Sequence, residues 1–234
     1  MKAPGKFYNT FLLTFKIFFL FSALVFFLNS CVKTQEPEPE LQSAINVVNA
    51  TVGLPAVIYA INGVRVEGPA LKYNEESKYF ITFPGKRKFD FTFEGQTGLT
   101  LAAMFELKQN TYHSIFVSGV NTSITTLLTT DDLTNPQMGK AKIRFIHLTS
   151  DAEQLMLVAK SGSMLFPAQA YNTSSEFIQL DPGVYNLQLK TAAGTAVSEA
   201  NATFASGKIY NIWAKGLKSG AGNTVCGIQV GLIN

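Results

Sequence analysis

"LKYNEESKYFITFPGKRKFDF", residues 71–91, and "QAYNTSSEFIQLDPGVYNLQL", residues 169–189, are two versions of one segment. Tyr73-Asn74 matches Tyr171-Asn172, Ser77 matches Ser175, and Pro84-Gly85 matches Pro182-Gly183, every identity at a spacing of 98 residues. Ile81 falls one step off the apolar beat of Ile178. Upstream, "SAINVVNA" from Ser43 lies over "AKIRFIHL" from Ala141 at the same spacing. Downstream, "YHSIFVSG" ending at Gly119 lies over "YNIWAKG" ending at Gly216, one residue short. A period near one hundred residues is too long for a solenoid unit and marks a duplicated domain.

Each copy reads as β. Phe89, Phe91 and Phe93 alternate with Lys88, Asp90 and Thr92, and Tyr185, Leu187 and Leu189 repeat the pattern after the second Pro-Gly. Period-two alternation of this kind marks half-buried strands. Asp181-Pro182-Gly183 is turn chemistry, with proline presetting φ and glycine accepting positive φ. After residue 41 no helical period is sustained, and "GLTLAAMFEL" (98–107) alone is ambiguous. The expectation is an all-β chain of two tandem immunoglobulin-like β-sandwich domains, residues 42–130 and 141–234. "TTDDLTNPQMGK" (129–140) has turn formers and no apolar beat, so residues 131–140 read as a linker.

The first thirty residues differ in kind. They carry Lys2, Lys6 and Lys16, no acid, and an apolar run from Ile17 to Leu28 broken only by Ser22. A basic start and a short apolar core describe a secretory signal. A spanning helix needs roughly 20 apolar residues, and only twelve lie between Lys16 and Asn29. Of 19 cations those three would leave with the signal, and the remainder balances the 16 acids. The basic balance is then an export feature, and it gives no ground for nucleic-acid binding. Lys86-Arg87-Lys88, after a Pro-Gly turn, reads as a solvated strand end before it reads as an anion site.

The greasy run stops at a cysteine: "FFLNSCVKTQEPEPE", residues 26–40. The following stretch alternates glutamate and proline, an extended and stiff spacer. The chain has two cysteines, Cys31 and Cys226. In "NTVCGIQVGLI" the alternation places Cys226, Ile228, Val230 and Leu232 on one face, so Cys226 reads as a buried, inert thiol.

Leu28-Asn29-Ser30-Cys31 resembles the lipobox of bacterial lipoproteins, with an unusual Asn29 in the second place. The resemblance implies cleavage before Cys31, acylation at Cys31 and attachment to the outer membrane, on its periplasmic or its surface face. Several long acyl chains hold essentially irreversibly, since each buried methylene contributes about 0.8 kcal/mol. A Phe-rich signal with an acidic tether looks Bacteroidetes-type. "GKAKIRFIHLTSDAEQLMLVA", residues 139–159, resembles the opening of the domain of unknown function 4397 family. Ile143-Arg144-Phe145-Ile146-His147 and Ser150-Asp151-Ala152 carry the likeness, and the family's prolines are absent. The first copy is looser, with Asn46 where Arg144 lies and Asn49 one step past the place of His147. The resemblance implies paired sandwich repeats on secreted or lipid-anchored bacterial proteins. It implies no activity.

Few residues point to chemistry. His113 and His147 are the only histidines, and no zinc-ligand spacing is present. His147, Ser150 and Asp151 share one loop, whereas the members of a hydrolytic triad converge from separate elements. The expected roles are therefore structural, with His147 bonding the following turn and Asp151 the loop amides. Arg144 reads as a surface or domain-interface residue, and Trp213, in the place of Phe116, as packing rather than a sugar platform. Asp131-Asp132 is a weak calcium candidate and reads as solvated. Tyr73 and Tyr171 are the candidate ligand-binding residues, since either ring could stack on a glycan or lid its own sandwich. The sequence thus predicts a non-catalytic binding or structural module of the cell envelope, anchored in the membrane by its lipid, with a protein or glycan partner, no nucleic acid and no cofactor. The rival is a glycan-active hydrolase or its accessory subunit, which needs two carboxylates about 5–10 Å apart in a cleft.

Overall fold

Alternating sequence becomes paired sheets throughout the computed structural model, which describes residues 42–233. The expected signal, the expected lipidation site Cys31 and the Glu-Pro stretch lie outside the described residues. The described residues fall within one compact unit, Leu41–Asn234.

The first copy supplies β1 (Ser43–Val52), β2 (Val57–Ile61), β3 (Val64–Arg65), β4 (Phe80–Thr82), β5 (Gly85–Phe93), β6 (Thr100–Leu107), β7 (Tyr112–Val120) and β8 (Ser123–Asp131). The second supplies β9 (Ala141–His147), β10 (Leu155–Ala159), β11 (Met164–Gln169), β12 (Thr173–Ser174), β13 (Ile178–Leu180), β14 (Gly183–Thr191), β15 (Ala196–Phe204), β16 (Ile209–Lys215) and β17 (Gly227–Leu232). Each copy folds into two sheets. In the first they run β4-β1-β7-β8 and β3-β2-β5-β6; in the second, β12-β9-β16-β17, with β13 also on β9, and β11-β10-β14-β15. "GLTLAAMFEL" resolves as strand β6.

The chain is therefore all-β, with two β-sandwiches in tandem. In both, the first strand runs parallel to its neighbour, β1 beside β7 and β9 beside β16. The order differs in detail from the constant-type immunoglobulin arrangement, where the first two strands share a sheet; here β1 and β2 lie on opposite sheets.

Each sandwich has its own core, and the cores correspond position by position. Ile45, Val47, Phe89, Phe91 and Ile115 fill the first, and Ile143, Phe145, Leu187, Leu189 and Ile212 fill the second. Each such side chain, fully removed from water, contributes about 1.5–3 kcal/mol. Cys226, Ile228 and Val230 pack on the second core as the alternation predicts, but Leu232 turns outward, 44% exposed, and Ile233 is buried instead.

β1 and β9 are buried along their whole lengths. Alternation alone would leave one face wet. These strands are covered on both faces: Ile45 and Val47 point into their own core, whereas Val48 and Ala50 point into a third cluster with Phe116, Ile146, Leu148 and Trp213. That cluster joins the two sandwiches.

The linker begins later than its composition suggests. Asp131 is the last residue of β8 and is 3% exposed, so it belongs to the first sandwich. The connection proper is 132–140.

Candidate functional site: the seam between the sandwiches

The third cluster consists of equivalent residues from the two copies: Val48 and Ile146, Ala50 and Leu148, Phe116 and Trp213. Matching residues facing one another are the mark of an approximate two-fold axis, as in an isologous dimer interface. At its centre the rings of Phe116 and Trp213 meet edge to face, centroids 6.2 Å apart at 61°. Such aromatic pairs add about 0.5–1.5 kcal/mol beyond area burial. Gly231 makes room for the indole, because a Cβ there would lie 2.9 Å from the Trp213 ring.

Tyr73 and Tyr171 flank this centre, both half-buried. Tyr171 Oη lies 3.2 Å from Ser118 Oγ of the first sandwich, and its ring stands edge-on to His147 at 6.1 Å. Tyr73 faces the second sandwich, with Lys215 Nζ 5.8 Å from its ring centroid. Ser118 and Lys215 hold equivalent places on β7 and β16. The two candidate tyrosines are thus the two arms of one seam, each reaching across to the other copy.

The asparagines beside them adopt left-handed backbone, φ 65° at Asn74 and 59° at Asn172, which asparagine tolerates better than most residues. Their backbone N–H groups donate to Asn49 O (2.7 Å) and His147 O (2.8 Å) respectively. Asn49 and His147 are therefore equivalent positions, which corrects the one-step displacement read from the sequence. Ser77 and Ser175 repeat the logic: their hydroxyls accept the N–H of Val47 and Phe145, each at 2.9 Å.

One end of the seam is ionic. Arg144 of β9 is 2% exposed and pairs with Asp131 of β8. Its Nε donates to Asn211 Oδ1 (2.8 Å) and its Nη1 to Thr130 O (3.0 Å). Asp131 also accepts from Tyr79 Oη and Ser114 Oγ, each at 2.6 Å. Burial first, and Asp131 second, push the Tyr79 phenol far above its ordinary value, so it stays a donor. Next door, Lys142 Nζ donates to Asp132 Oδ2 (2.8 Å) and Thr134 O (2.9 Å). Lys142 and the Thr134 hydroxyl hold the Asp132 carboxyl down at about 2. Phe177 lies under both cations, 4.7 Å from Arg144 Cζ and 5.5 Å from Lys142 Nζ. The acids read as a solvated pair are thus fastened to two cations of the other sandwich. Arg144 lies at the domain interface rather than on the surface.

The remaining candidates are also engaged locally. His147 Nε2 lies 2.9 Å from Glu153 O, and its Nδ1 accepts the Thr149 N–H at 3.2 Å, which fixes the neutral tautomer protonated at Nε2. Burial lowers the affinity of His147 for a second proton, and the same holds for His113. Asp151 accepts the Ser219 hydroxyl (2.6 Å) and the backbone N–H groups of Lys218 (2.6 Å) and Ser219 (2.8 Å). Burial pushes its carboxyl up, yet these donors outweigh it and leave it below its ordinary value. Burial raises the Cys226 thiol. Lys86 and Lys88 are exposed, and Arg87 donates to the carbonyls of Phe83 and Pro84. Among the described residues no three His, Cys, Asp or Glu side chains converge on a metal position.

Residues 43–158 match the family model of a domain of unknown function, DUF4397. That stretch carries the DUF4397 domain. The match opens with β1 and closes in β10, so it spans the whole first sandwich and the first two strands of the second. The likeness seen at residues 139–159 falls at its far end. No curated protein matches the chain in sequence. Among solved structures, the chain is similar to the Bacillus anthracis TIE protein at 12% identity and a TM-score of 0.26, over 75% of this chain and 34% of that one. It is similar to CBMbc, a family 26 carbohydrate-binding module of Eubacterium rectale Amy13K in complex with maltoheptaose, at 9% identity and a TM-score of 0.26, over 82% and 96%. The chain spans about a third of the former protein, and neither likeness bears on function at such scores.

Proposed function

We propose that this DUF4397 protein is a non-catalytic binding or structural module of the cell envelope, anchored by lipid at Cys31 and presenting its paired sandwiches as one rigid body to a protein or glycan partner. The observation that carries the reading is the state of its acids. Asp131 and Asp132 line a shallow cavity of about 400 Å³ with Tyr112 and Leu133, and glycoside hydrolysis requires a carboxylate pair in a cleft. A general acid in such a pair needs a raised pKa. Asp132 is instead lowered to about 2, and Asp131 is consumed by Arg144, Tyr79 and Ser114. Both acids serve the seam.

The envelope placement rests on the signal-like start, the lipobox-like Leu28-Asn29-Ser30-Cys31 and the Glu-Pro spacer. Two assays test the proposal. In detergent phase separation of cells expressing the full chain, the native protein partitions with lipid and Cys31→Ser with the aqueous phase; aqueous partitioning of both removes the anchor. Incubation of the purified protein with envelope glycans releases no reducing ends; release that Asp132→Asn abolishes would establish the hydrolase.

A further inference from the structure

The two sandwiches point the same way. Asn172, bonded to His147, reaches Thr126, which stands level with Asn49, the counterpart of His147. Arg144 reaches Thr130, which stands level with Ile45, the counterpart of Ile143. Equal levels thus meet across the seam, so β1 and β9 run in one direction. The Pro-Gly turns follow Thr82 and Leu180, which lie opposite Ser43 and Ala141, the first residues of those two strands. Both turns therefore lie at one end of the molecule, the end where the chain enters the fold.

This end is rich in exposed apolar side chains. Ile81 and Tyr112 line one hollow with Ser43 and Ala44, and Tyr112 lines a second with Leu133. Phe83, 66% exposed, stands on the first Pro-Gly turn, and Val184, 75% exposed, just past the second. Met138, in the connection between the sandwiches, is fully exposed. At the opposite end, among the described residues, only Val225 is comparable. Single exposed apolar residues are ordinary, but a cluster of them marks an interaction surface. Cations border it. Lys86 follows the first turn, Lys108 the end of β6 and Lys208 the end of β15, all exposed. The acids at this end are matched: Asp132 pairs with Lys142, Asp181 with Lys140, and Glu106 lies beside Lys86 across β5 and β6.

We propose, on the reading that Cys31 carries the lipid anchor, that this end is a membrane-contacting face. Ile81, Phe83, Tyr112, Met138 and Val184 sit in the interfacial layer of a phospholipid bilayer, with Lys108 and Lys208 at its phosphates. Ten residues, 32–41, separate Cys31 from Gln42, and they reach about 36 Å at most. An acyl anchor therefore brings this end to the bilayer before the other. Covalent tethering makes the encounter intramolecular, so weak contacts suffice. Aromatic and aliphatic side chains partition into the interface, and lysines extend from it to the headgroups. A protein partner at this end would have to share the narrow gap beside the tether, so lipid is the occupant that the attachment point favours.

The test uses the full acylated chain reconstituted in phospholipid vesicles whose headgroups carry a nitroxide quencher. A fluorophore is attached at Phe83→Cys, Met138→Cys or, on the far-end turn after β5, Gln96→Cys, all exposed positions; the native Cys226 is buried. Quenching should be several-fold stronger at 83 and 138 than at 96. With Ile81→Glu and Val184→Glu introduced together, quenching at 138 should fall to the level at 96 while the protein still floats with the vesicles. Floating protein quenched equally at 83 and 96, as would be found if this end served another protein, overturns the membrane face and leaves the anchor standing. So does quenching at 138 that survives the two substitutions. Protein that fails to float removes the anchor, and the face with it.

Discussion

Phe116 and Trp213 occupy the same place in the two copies and touch each other edge to face at 6.2 Å. Two equivalent residues can meet only close to an axis that exchanges the copies. The chain therefore holds its halves together the way a symmetric dimer does, with the partner covalently supplied. Val48 and Ile146, Ala50 and Leu148, Tyr73 and Tyr171 follow the same symmetry.

Trp213→Ala opens a cavity at that axis and lowers stability by about 3–5 kcal/mol, the usual cost of truncating a buried large aromatic. Trp213→Phe, which places the first copy's residue at the second copy's position, costs clearly less. Urea midpoints at constant m-value measure both; equal losses would show that the ring contributes bulk at no particular place.

The Arg144–Asp131 pair gives a prediction with a reversal. Arg144→Met alone leaves a buried carboxylate uncompensated and costs about 3–5 kcal/mol. Adding Asp131→Leu removes that charge and recovers part of the loss, the remainder being the acceptor that the Tyr79 and Ser114 hydroxyls lose. A double variant no more stable than Arg144→Met would mean that the pair's geometry, rather than its charge, matters.

The histidines set the acid limit. Burial holds His147 and His113 below their ordinary value, so below about pH 6.5 the unfolded chain binds protons that the folded chain refuses. Stability is complete above that pH and falls as pH drops through it toward the folded-state values. Asp132 does not act in this window, since its contribution is complete above its unfolded value of 3.8 and is lost only as pH falls from there toward about 2. Denaturant midpoints at pH 7.5 and 5.5 should differ, and His147→Asn, the residue the first copy has at that place, should reduce the difference. A pH-independent midpoint contradicts the assignment.

Much of this was legible in the sequence. The spacing of 98 places the two sandwiches, and Pro84-Gly85 and Pro182-Gly183 place the starts of β5 and β14. His147, Asp151, Trp213 and Cys226 took the structural roles expected of them. The seam was not legible, because period-two alternation reports that a strand has two faces but not that both are covered. Arg144 on a wholly buried strand therefore read as a surface or interface residue. Asp131 read as linker because "TTDD" has no apolar beat, although its partner lies thirteen residues on in the other sandwich. One signal was available: identical Tyr-Asn pairs at equivalent places in both copies, whose shared task is the joint.

Gly119 and Gly216 mark the equivalent ends of β7 and β16. A Cβ on Gly119 would lie 2.1 Å from Ser123 O, and one on Gly216 2.3 Å from Val225 O, both at positive φ. Gly53 also has positive φ but open space around it. Gly119→Ala should therefore cost well beyond the roughly 1–2 kcal/mol of left-handed backbone that Gly53→Ala shows. Thermal denaturation of the two variants side by side measures the difference, and equal shifts would deny the close approach.

The claim that the two sandwiches act as one body is tested most directly by differential scanning calorimetry of residues 42–234. The seam predicts a single transition whose calorimetric and van't Hoff enthalpies agree, as for one cooperative unit. Two resolved transitions, each carrying about half the heat, would contradict it.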